Sequence, residues 1–354
     1  MNTFFLTPAA KKLIPYVAGE QPTGRKYIKL NTNENPYPAS PLISEAIERE
    51  INNLRLYPDA NSKDLCRAVA RIENLKTEDY VFVGNGSDEV LSFIFYAFFS
   101  GSPPLLFPDI TYSFYPVYST FYDISYSLVP LRSDFTINPY DYMRPACGVI
   151  FPNPNAPTGI SLKTTEIVKI LEYHKDKVVC VDEAYVAFGS QSMAEYIDKY
   201  PNLLIVRTLS KSHALAGLRV GFAIGQPHLI DSLRRVKDSF NSYPVDRLAA
   251  VAAAAAISDT AYYCEKTKKI IATRDKFTDR IKEYGFNIAP SSANFVFCAH
   301  RNVKAAAIYA ALREQGVLVR HFCKPRIDDY LRITIGTDAD MDIVAGLLRA
   351  IVVP

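Results

Sequence analysis

The sequence has no tryptophan and no grouped cysteines among its 354 residues. Its six cysteines are scattered without a C-x-x-C pair, which argues against a disulfide framework and against a zinc site. No apolar run reaches the ~18 residues needed to span a bilayer. The N-terminal MNTFFLTPAAKK also lacks the basic region and long apolar stretch of a signal peptide. We therefore expect a cytoplasmic protein that holds no metal.

A strong charge of either sign is missing as well. The 40 lysines and arginines against 37 aspartates and glutamates leave a formal net charge of +3. Nothing in this balance favours a nucleic-acid or a membrane partner. The sequence has no Walker lysine and no G-x-G-x-x-G pattern after its glycine turn at 84–89, which makes nucleotide phosphates a poor fit.

What the chain does have is ample apolar material, with 49% hydrophobic residues and a length that fits two domains of about 150 residues each. In its middle part, short apolar runs alternate with helix-like segments, as at 88–99 and 164–174. This alternation predicts an α/β domain with a mostly parallel sheet. The predicted strands lie at 81–83, 104–107, 148–151, 178–181, 203–206 and 220–224.

The alanine-rich segment Arg247–Ser258 predicts a helix that leads into a long helix from Cys264 to Lys282. The residues after it predict a smaller α+β unit. Its expected strands are 294–298, 317–320 and 330–335, and its expected helices are 304–315 and 341–351. The start of the chain is rich in proline and asparagine and predicts an extended arm. The expected domains are therefore an arm at 1–40 that contributes to the active site, a large domain at 41–262 and a small domain at 263–354.

The strongest chemical signal is TLSK at 208–211, directly after a predicted strand. A lysine at such a place, taken alone, is more often a solvated charge. Arg219 follows in the same segment, within GLRVG. The amine of Lys211 can form an imine with an aldehyde cofactor. Ser210 and Arg219 can hold the phosphate of that cofactor by charge-assisted hydrogen bonds.

Two further signals also follow strands. The apolar run VVCV ends in Asp182, and Tyr185 comes shortly after it. The carboxylate can keep a cofactor's ring nitrogen protonated, although a carboxylate for magnesium or for hydride chemistry is an open alternative. In the glycine turn, Ser87 is a natural N-cap, and the N–H groups at the start of the next helix favour a phosphate. Many ordinary helices begin in the same way.

Two weaker signals complete the set. The segment NPNAPTG at 153–159 is a rigid turn at a strand end. Tyr112 follows another strand, and its ring could stack on a planar cofactor. Each feature alone is compatible with an ordinary loop or with packing.

Taken in this order, the motifs resemble those of the fold-type I aminotransferases that use pyridoxal 5′-phosphate, and among them the histidinol-phosphate aminotransferase family. The resemblance runs nearly end to end. It includes LIPY at 13–16, LNTNENPYP at 30–38, LYPD at 56–59, RTLSKSHALAGLRVGF at 207–222 and LRITIGT at 331–337. It implies an aspartate-aminotransferase-like fold, with a large cofactor-binding α/β domain sandwiched by helices and a smaller α+β domain.

The resemblance also implies a cofactor site. Lys211 would form the Schiff base and move the substrate's proton, Asp182 would pair with the ring nitrogen, and Tyr185 would bond the phenolic oxygen. The residues assigned to the cofactor are Tyr57, Ser87, Asp88, Tyr112, Asn155, Asp182, Tyr185, Ser210, Lys211 and Arg219. The family has asparagine directly before Pro-Thr-Gly, where this chain has Ala156. We expect Asn155 to reach the cofactor instead, and His213 to have a structural role.

On the substrate side, the resemblance assigns Arg332 to the carboxylate of the amino donor. Arg320 and Tyr16 match positions that bind the substrate phosphate, and Asn33 and Asn35 are expected to line the substrate pocket. Tyr57 would reach the cofactor phosphate of a neighbouring subunit, so that activity requires a homodimer.

The implied reaction transfers an amino group between L-histidinol phosphate and 2-oxoglutarate, in histidine biosynthesis. Two enzymes of the same fold remain as alternatives, an aromatic amino acid aminotransferase and a threonine-phosphate decarboxylase. A non-enzymatic sensor on this fold is disfavoured, because such regulators carry a DNA-binding extension and Lys211 is present here.

Overall fold

Three sheets organise the protein in the computed structural model, which describes residues 5–16, 19–22, 24 and 26–353. The expected arm at 1–40 and the small domain at 263–354 therefore include a few positions outside the described residues. The helices are α1 (Pro8–Lys11), α2 (Leu42–Glu50), α3 (Lys63–Ile72), α4 (Gly86–Phe98), α5 (Phe114–Phe121), α6 (Thr164–Tyr173), α7 (Pro227–Phe240), α8 (Arg247–Ser258), α9 (Thr260–Lys282), α10 (Ala305–Glu314) and α11 (Asp338–Val352). The strands are β1 (Ile28–Lys29), β2 (Val81–Asn85), β3 (Leu105–Pro108), β4 (Tyr126–Val129), β5 (Val149–Pro152), β6 (Val179–Asp182), β7 (Leu203–Thr208), β8 (Val220–Gly225), β9 (Phe286–Ile288), β10 (Phe295–His300), β11 (Val317–Leu318), β12 (Arg320–His321) and β13 (Leu331–Thr334).

The main sheet has seven strands in the order β2-β8-β7-β6-β5-β3-β4. Six of them are parallel, and β8 runs antiparallel to both of its neighbours. The predicted α/β class with a mostly parallel sheet is thus confirmed. Sequence analysis missed β4 because it is a short edge strand with alternating exposure. It missed α5 because this helix consists of aromatic, β-branched and hydroxyl residues around a proline, all poor helix formers.

Both faces of this sheet are buried. In β6, Val179 and Val181 face one hydrophobic cluster, and Cys180 between them faces the other. Burial on both faces explains why the central strands read as continuous apolar runs rather than alternating ones. Cys180 is the small buried hydrophobe that its sequence context indicates, and burial raises the pKa of its thiol.

The second sheet is antiparallel, with four strands in the order β12-β13-β10-β9. The third sheet has two strands, because β1 near the start of the chain pairs with β11 in a parallel register. The Leu30 carbonyl then accepts a hydrogen bond of 3.0 Å from the backbone N–H of Thr334. This contact carries the following residues, Asn31 to Asn35, towards the main sheet.

The described helices include none that is long and apolar enough to cross a membrane. The expected division between a large and a small domain at residue 262 stays a prediction. Helix α9 runs across that position without interruption, from Thr260 to Lys282.

A close contact between β8 and α4 generates the first prediction. Gly221 lies so near the first turn of α4 that a Cβ there would clash with the backbone nitrogen of Ser87 and lie 2.5 Å from the carbonyl carbon of Gly86. Because both neighbours are backbone atoms, Gly221→Ala should lower the free energy of unfolding by about 1–3 kcal/mol. Gly346→Ala is the matched control, since its Cβ would meet nothing within 4 Å in the interior of α11. It should raise stability by about 0.5–1 kcal/mol. Urea denaturation measures both, and equal effects of the two variants would contradict the account.

Candidate active site

One edge of the main sheet gathers the chemically active residues. The parallel strands β2, β5, β6 and β7 all end at this edge, and antiparallel β8 begins there. In the ladder, Asn85 lies opposite Val220, and Thr208 lies opposite Gly221. The segments that follow the parallel strands and the residue that precedes β8 therefore meet. Ligand sites of open α/β sheets collect at such an edge.

Lys211 follows β7 and is partly buried. Its Nζ donates a hydrogen bond of 3.0 Å to the carbonyl oxygen of Thr32. Burial, together with the nearby charge of Arg332, lowers the pKa of the Lys211 amine to about 8. The backbone of its loop is held by Asn35, whose Nδ2 donates to the carbonyls of Lys211 and Ser212 at 3.1 Å each. The amine is thus fixed in place and easily deprotonated.

Asp182 ends β6 and is buried. Its Oδ2 accepts a hydrogen bond of 3.0 Å from the hydroxyl of Tyr115, and its Oδ1 accepts one of 3.1 Å from the N–H of Ala184. Burial raises the pKa of this carboxyl to about 6, against the effect of the Tyr115 hydrogen bond. The group therefore remains mostly ionised at neutral pH. Sequence analysis did not single out Tyr115, for which the available signal was its place three residues after Tyr112 in the aromatic segment TYSFY at 111–115.

The turn between β2 and α4 forms a cradle with Arg219. Gly86 has a φ of +78°, and a Cβ on it would lie 2.5 Å from Nη2 of Arg219, so a glycine is required for the guanidinium to lie across this turn. Arg219 donates to Ser210 Oγ at 3.3 Å and to Asp88 Oδ2 at 3.2 Å. The first N–H groups of α4, including those of Ser87 and Asp88, have no partner within the helix. These donors converge as an anion would require.

Tyr112 is tied to the same cradle. Its hydroxyl donates a hydrogen bond of 2.8 Å to Asp88 Oδ1. Burial raises the pKa of this phenol well above its ordinary value, so it stays protonated. The predicted stacking of its ring on a cofactor stays a prediction.

The turn after β5 departs from the family pattern, as the sequence indicates. Asn155 is buried, and its Nδ2 donates to the carbonyl of Ile110 at 3.0 Å and to Thr158 Oγ1 at 3.1 Å. Ala156 lies in the same hydrophobic cluster as Tyr185. The expected contact between Asn155 and a cofactor stays a prediction, and both amide protons of Asn155 have partners inside the protein.

Tyr185 follows Asp182 and has a buried hydroxyl. This hydroxyl accepts a hydrogen bond of 2.9 Å from Nδ2 of Asn33. The Lys211 amine lies 5.9 Å from the centre of the Tyr185 ring. Asn33 and Asn35, which were expected to line a substrate pocket, thus contact Tyr185 and the Lys211 loop.

Two arginines face each other at the end of the small sheet. Arg320 on β12 lies directly opposite Arg332 on β13, an arrangement that places both side chains on one face. Burial and the charge of Arg320 lower the pKa of the Arg332 guanidinium. Tyr185, Tyr16 and Tyr112 also lie near enough to influence it. Nε of Arg332 is buried without a partner among the described residues, while one Nη donates to the carbonyl of Asn31 at 2.9 Å.

Tyr16 lies on the same side of the site. Its ring stacks on that of Phe114, with 4.5 Å between the ring centres, and Phe114 adjoins Tyr112. The structure therefore brings the tyrosine of the LIPY motif together with the arginine pair within one chain.

Tyr57, which the sequence assigns to the cofactor phosphate, does not lie near Lys211 within one chain. Its side chain is 80% exposed, and its ring stacks on Tyr243 with 4.9 Å between the ring centres. His213 has a structural environment instead: its Nδ1 lies 2.9 Å from Ser212 Oγ, and its ring packs against Tyr263. Burial lowers the pKa of His213 to about 4, so this imidazole is neutral at working pH.

These residues fit pyridoxal 5′-phosphate. The buried amine of Lys211 suits the aldehyde, the anionic Asp182 suits the ring nitrogen, and the cradle of α4, Ser210 and Arg219 suits the phosphate. The buried Nε of Arg332, which has no partner among the described residues, suits a further anion, because a buried donor without an acceptor is costly.

Comparisons with known proteins agree with this chemistry. A family model described as aminotransferase class I and II matches residues 25–348. The chain is 52% identical over 352 residues to histidinol-phosphate aminotransferase 2 of Dechloromonas aromatica (strain RCB), covering 98% of this chain and 99% of the relative. It is 53% identical over 334 residues to the histidinol-phosphate aminotransferase of Pseudomonas putida (strain W619), covering 94% and 96%.

Solved structures share the fold. The histidinol-phosphate aminotransferase of Sinorhizobium meliloti in complex with pyridoxal 5′-phosphate has a TM-score of 0.87 at 24% identity, covering 99% of this chain and 98% of that one. The L-threonine-O-3-phosphate decarboxylase of Porphyromonas gingivalis has a TM-score of 0.75 at 22% identity, covering 91% and 98%. At these identities the likeness concerns the fold alone. From the family model and the two close relatives, the chain belongs to the class I and II aminotransferases, in the family of the histidinol-phosphate aminotransferases.

Proposed function

We propose that this protein transfers an amino group between L-histidinol phosphate and 2-oxoglutarate with pyridoxal 5′-phosphate as its cofactor. The observation that carries the substrate assignment is the pair Arg320 and Arg332, which lie opposite each other across β12 and β13. Arg332 also lies near Tyr16 and near the Lys211 amine. Two like charges on paired residues of one sheet face repel each other, and an anion between them would offset that repulsion. A phosphate dianion satisfies both, and a carboxylate of glutamate can take its place in the other half of the reaction.

When bound, the cofactor supplies an aldehyde for the substrate's amino group and a ring that withdraws electrons. The chain's own residues do the rest. Lys211, with a pKa near neutrality, takes the proton from the substrate carbon that bears the amino group and returns it to the cofactor. Asp182 keeps a negative charge at the ring nitrogen, and Tyr115 holds that carboxylate in orientation. Arg332 and Arg320 orient the substrate so that this carbon faces Lys211.

We further propose that the working enzyme is a homodimer in which Tyr57 reaches the partner's cofactor phosphate. Tyr57 projects from a loop that the chain itself holds in place. Nη2 of Arg247 donates to the carbonyl of Tyr57 at 2.8 Å, and Nζ of buried Lys237 donates to the carbonyl of Ala60 at 2.7 Å. Nearby Leu54 is more than half exposed, as an interface side chain would be in an isolated subunit. The cytoplasmic location expected from the sequence stays a prediction.

The substrate assignment is tested by the absorbance change of the bound cofactor in a half-reaction. L-Histidinol phosphate should convert it at the lowest concentration, and L-histidinol, which lacks the phosphate, should need at least about ten times more, because charge-assisted hydrogen bonds are lost. A stronger response to L-phenylalanine would move the protein to the aromatic aminotransferases. Release of CO2 from O-phosphothreonine without a keto acid would make it a decarboxylase.

The role of Lys211 generates a prediction for Lys211→Ala. This variant should abolish transamination and the absorbance of the lysine-bound cofactor, because it removes the amine that forms the Schiff base. Lys282→Ala, at an exposed position on α9, is the control and should retain both. A Lys211→Ala variant with normal turnover would refute the central assignment.

The role of Tyr57 generates a prediction for Tyr57→Phe. Loss of one hydrogen bond to a phosphate should weaken cofactor affinity about tenfold, while Tyr96→Phe, at another exposed tyrosine, should leave it unchanged. Mixed dimers provide the sharper test. Dimers of Tyr57→Ala and Lys211→Ala subunits should regain activity, because one of their two sites has both native residues. Mixing without any recovery would contradict the cross-subunit role.

A further inference from the structure

By the family resemblance, Tyr185 donates a hydrogen bond to the cofactor's phenolic oxygen. The asparagine that the family has directly before Pro-Thr-Gly is replaced here by Ala156. The neighbouring Asn155 donates its two amide protons to Ile110 and Thr158. The direction in which the Tyr185 hydroxyl points its proton therefore matters more here than in a site with two donors.

A chain of hydrogen bonds fixes that direction. The backbone N–H of Asn33 donates to Thr334 Oγ1 at 3.0 Å, so this hydroxyl must use its own proton elsewhere, and it donates to Asn33 Oδ1 at 3.0 Å. With Oδ1 occupied as an acceptor, the Nδ2 of Asn33 faces Tyr185 and donates to its hydroxyl at 2.9 Å. An amide N–H can only donate, so the phenol accepts there and its own proton points away from Asn33.

The position of Asn33 is held from several sides. Its side chain is 1% exposed, and its carbonyl accepts a hydrogen bond of 3.0 Å from Asn294 Nδ2. Its φ of 56° is in the left-handed region, which asparagine, aspartate and glycine tolerate best. Thr334 belongs to β13, which also carries Arg332, so the chain of hydrogen bonds connects the small sheet with Tyr185.

We propose that Asn33 is a positioning residue that, held by Thr334, directs the proton of Tyr185 towards the phenolic oxygen of the bound cofactor. This proposal rests on the proposed function and on the contact between Tyr185 and the cofactor's phenolic oxygen that the family resemblance implies. It gives Asn33 a role that differs from lining the substrate pocket. It also explains how the site functions with Ala156, because the oriented hydroxyl of Tyr185 stabilises the phenolic oxygen without a second donor from an asparagine.

The expected effect has a defined sign. A donor to the phenolic oxygen stabilises the negative charge there and so lowers the pH at which the bound cofactor loses its proton. Any change that turns the Tyr185 proton away should raise that pH. Loss of one such hydrogen bond corresponds to an upward shift of about one pH unit.

The test is a pH titration of the visible absorbance of the cofactor-loaded enzyme. Tyr185→Phe should raise the transition by about one unit. Asn33→Asp should raise it as much, because a carboxylate takes the Tyr185 proton for itself. Asn33→Gly keeps the left-handed backbone and should raise it less, and Thr334→Val should shift it in the same direction. Thr334→Ser keeps the hydroxyl and is the matched control, with no shift expected.

A double variant separates positioning from general damage to the site. In the Tyr185→Phe background, Asn33→Gly should cause no further shift, because the group through which it acts is absent. The proposal is overturned if neither Asn33→Asp nor Thr334→Val shifts the transition. It is also overturned if Asn33→Gly shifts the transition equally with and without the Tyr185 hydroxyl. An unshifted Tyr185→Phe would overturn it as well, and if this variant still converts L-histidinol phosphate, the proposed function stands without it.

Discussion

The burial of the Lys211 amine is the constraint on which the rest of the site depends. An ammonium group loses its hydration on burial, and Arg332 adds a like charge, so the pKa falls to about 8. The Thr32 carbonyl keeps the amine oriented without a full opposite charge. A neutral amine is the nucleophile that an aldehyde cofactor requires, and an exposed lysine would be protonated at the same pH. The small sheet and the N-terminal segment together create this environment, because one provides Arg332 and the other provides Thr32.

The charges around Lys211 follow from the same constraint. Arg219, Arg320 and Arg332 bring a positive excess to the site, and Asp88 and Asp182 offset only part of it. In the proposed function, this excess attracts two anionic groups, the cofactor phosphate at α4 and a substrate phosphate or carboxylate at the arginine pair. One of the two proposed anion sites lies at the edge of the main sheet and the other at β12 and β13. In the proposed function, the reacting carbon would be held between them and next to Lys211.

Much of this arrangement could be predicted from the sequence, because it depends on where strands end. Apolar runs identify β5, β6 and β7, and the polar residues that follow each run are the ones that meet in space. The residues that hydrogen-bond to these site residues and orient them could not be predicted in the same way. Thr32 lies 179 positions from Lys211, and Thr334 lies 301 positions from Asn33. Their contacts depend on the pairing of β1 with β11 and on the backbone contact between Leu30 and Thr334. The sequence predicts a strand at 317–320, which contains β11, but the two-residue strand β1 leaves almost no sequence pattern. Tyr115 was missed for a different reason, because a fully buried tyrosine within an aromatic segment looks like packing until its hydroxyl is seen to meet Asp182.

The most direct test of the account is the pH dependence of the rate at which cofactor-free protein binds pyridoxal 5′-phosphate to Lys211. The neutral amine is the reacting form, so the rate should rise with pH and level off above the pKa of Lys211. The expected midpoint is at about pH 8, the pKa to which burial lowers the Lys211 amine. A rate that continues to rise towards pH 10.5, the value of an unperturbed lysine, would show that the buried site does not depress this pKa, and would contradict the account at its central point.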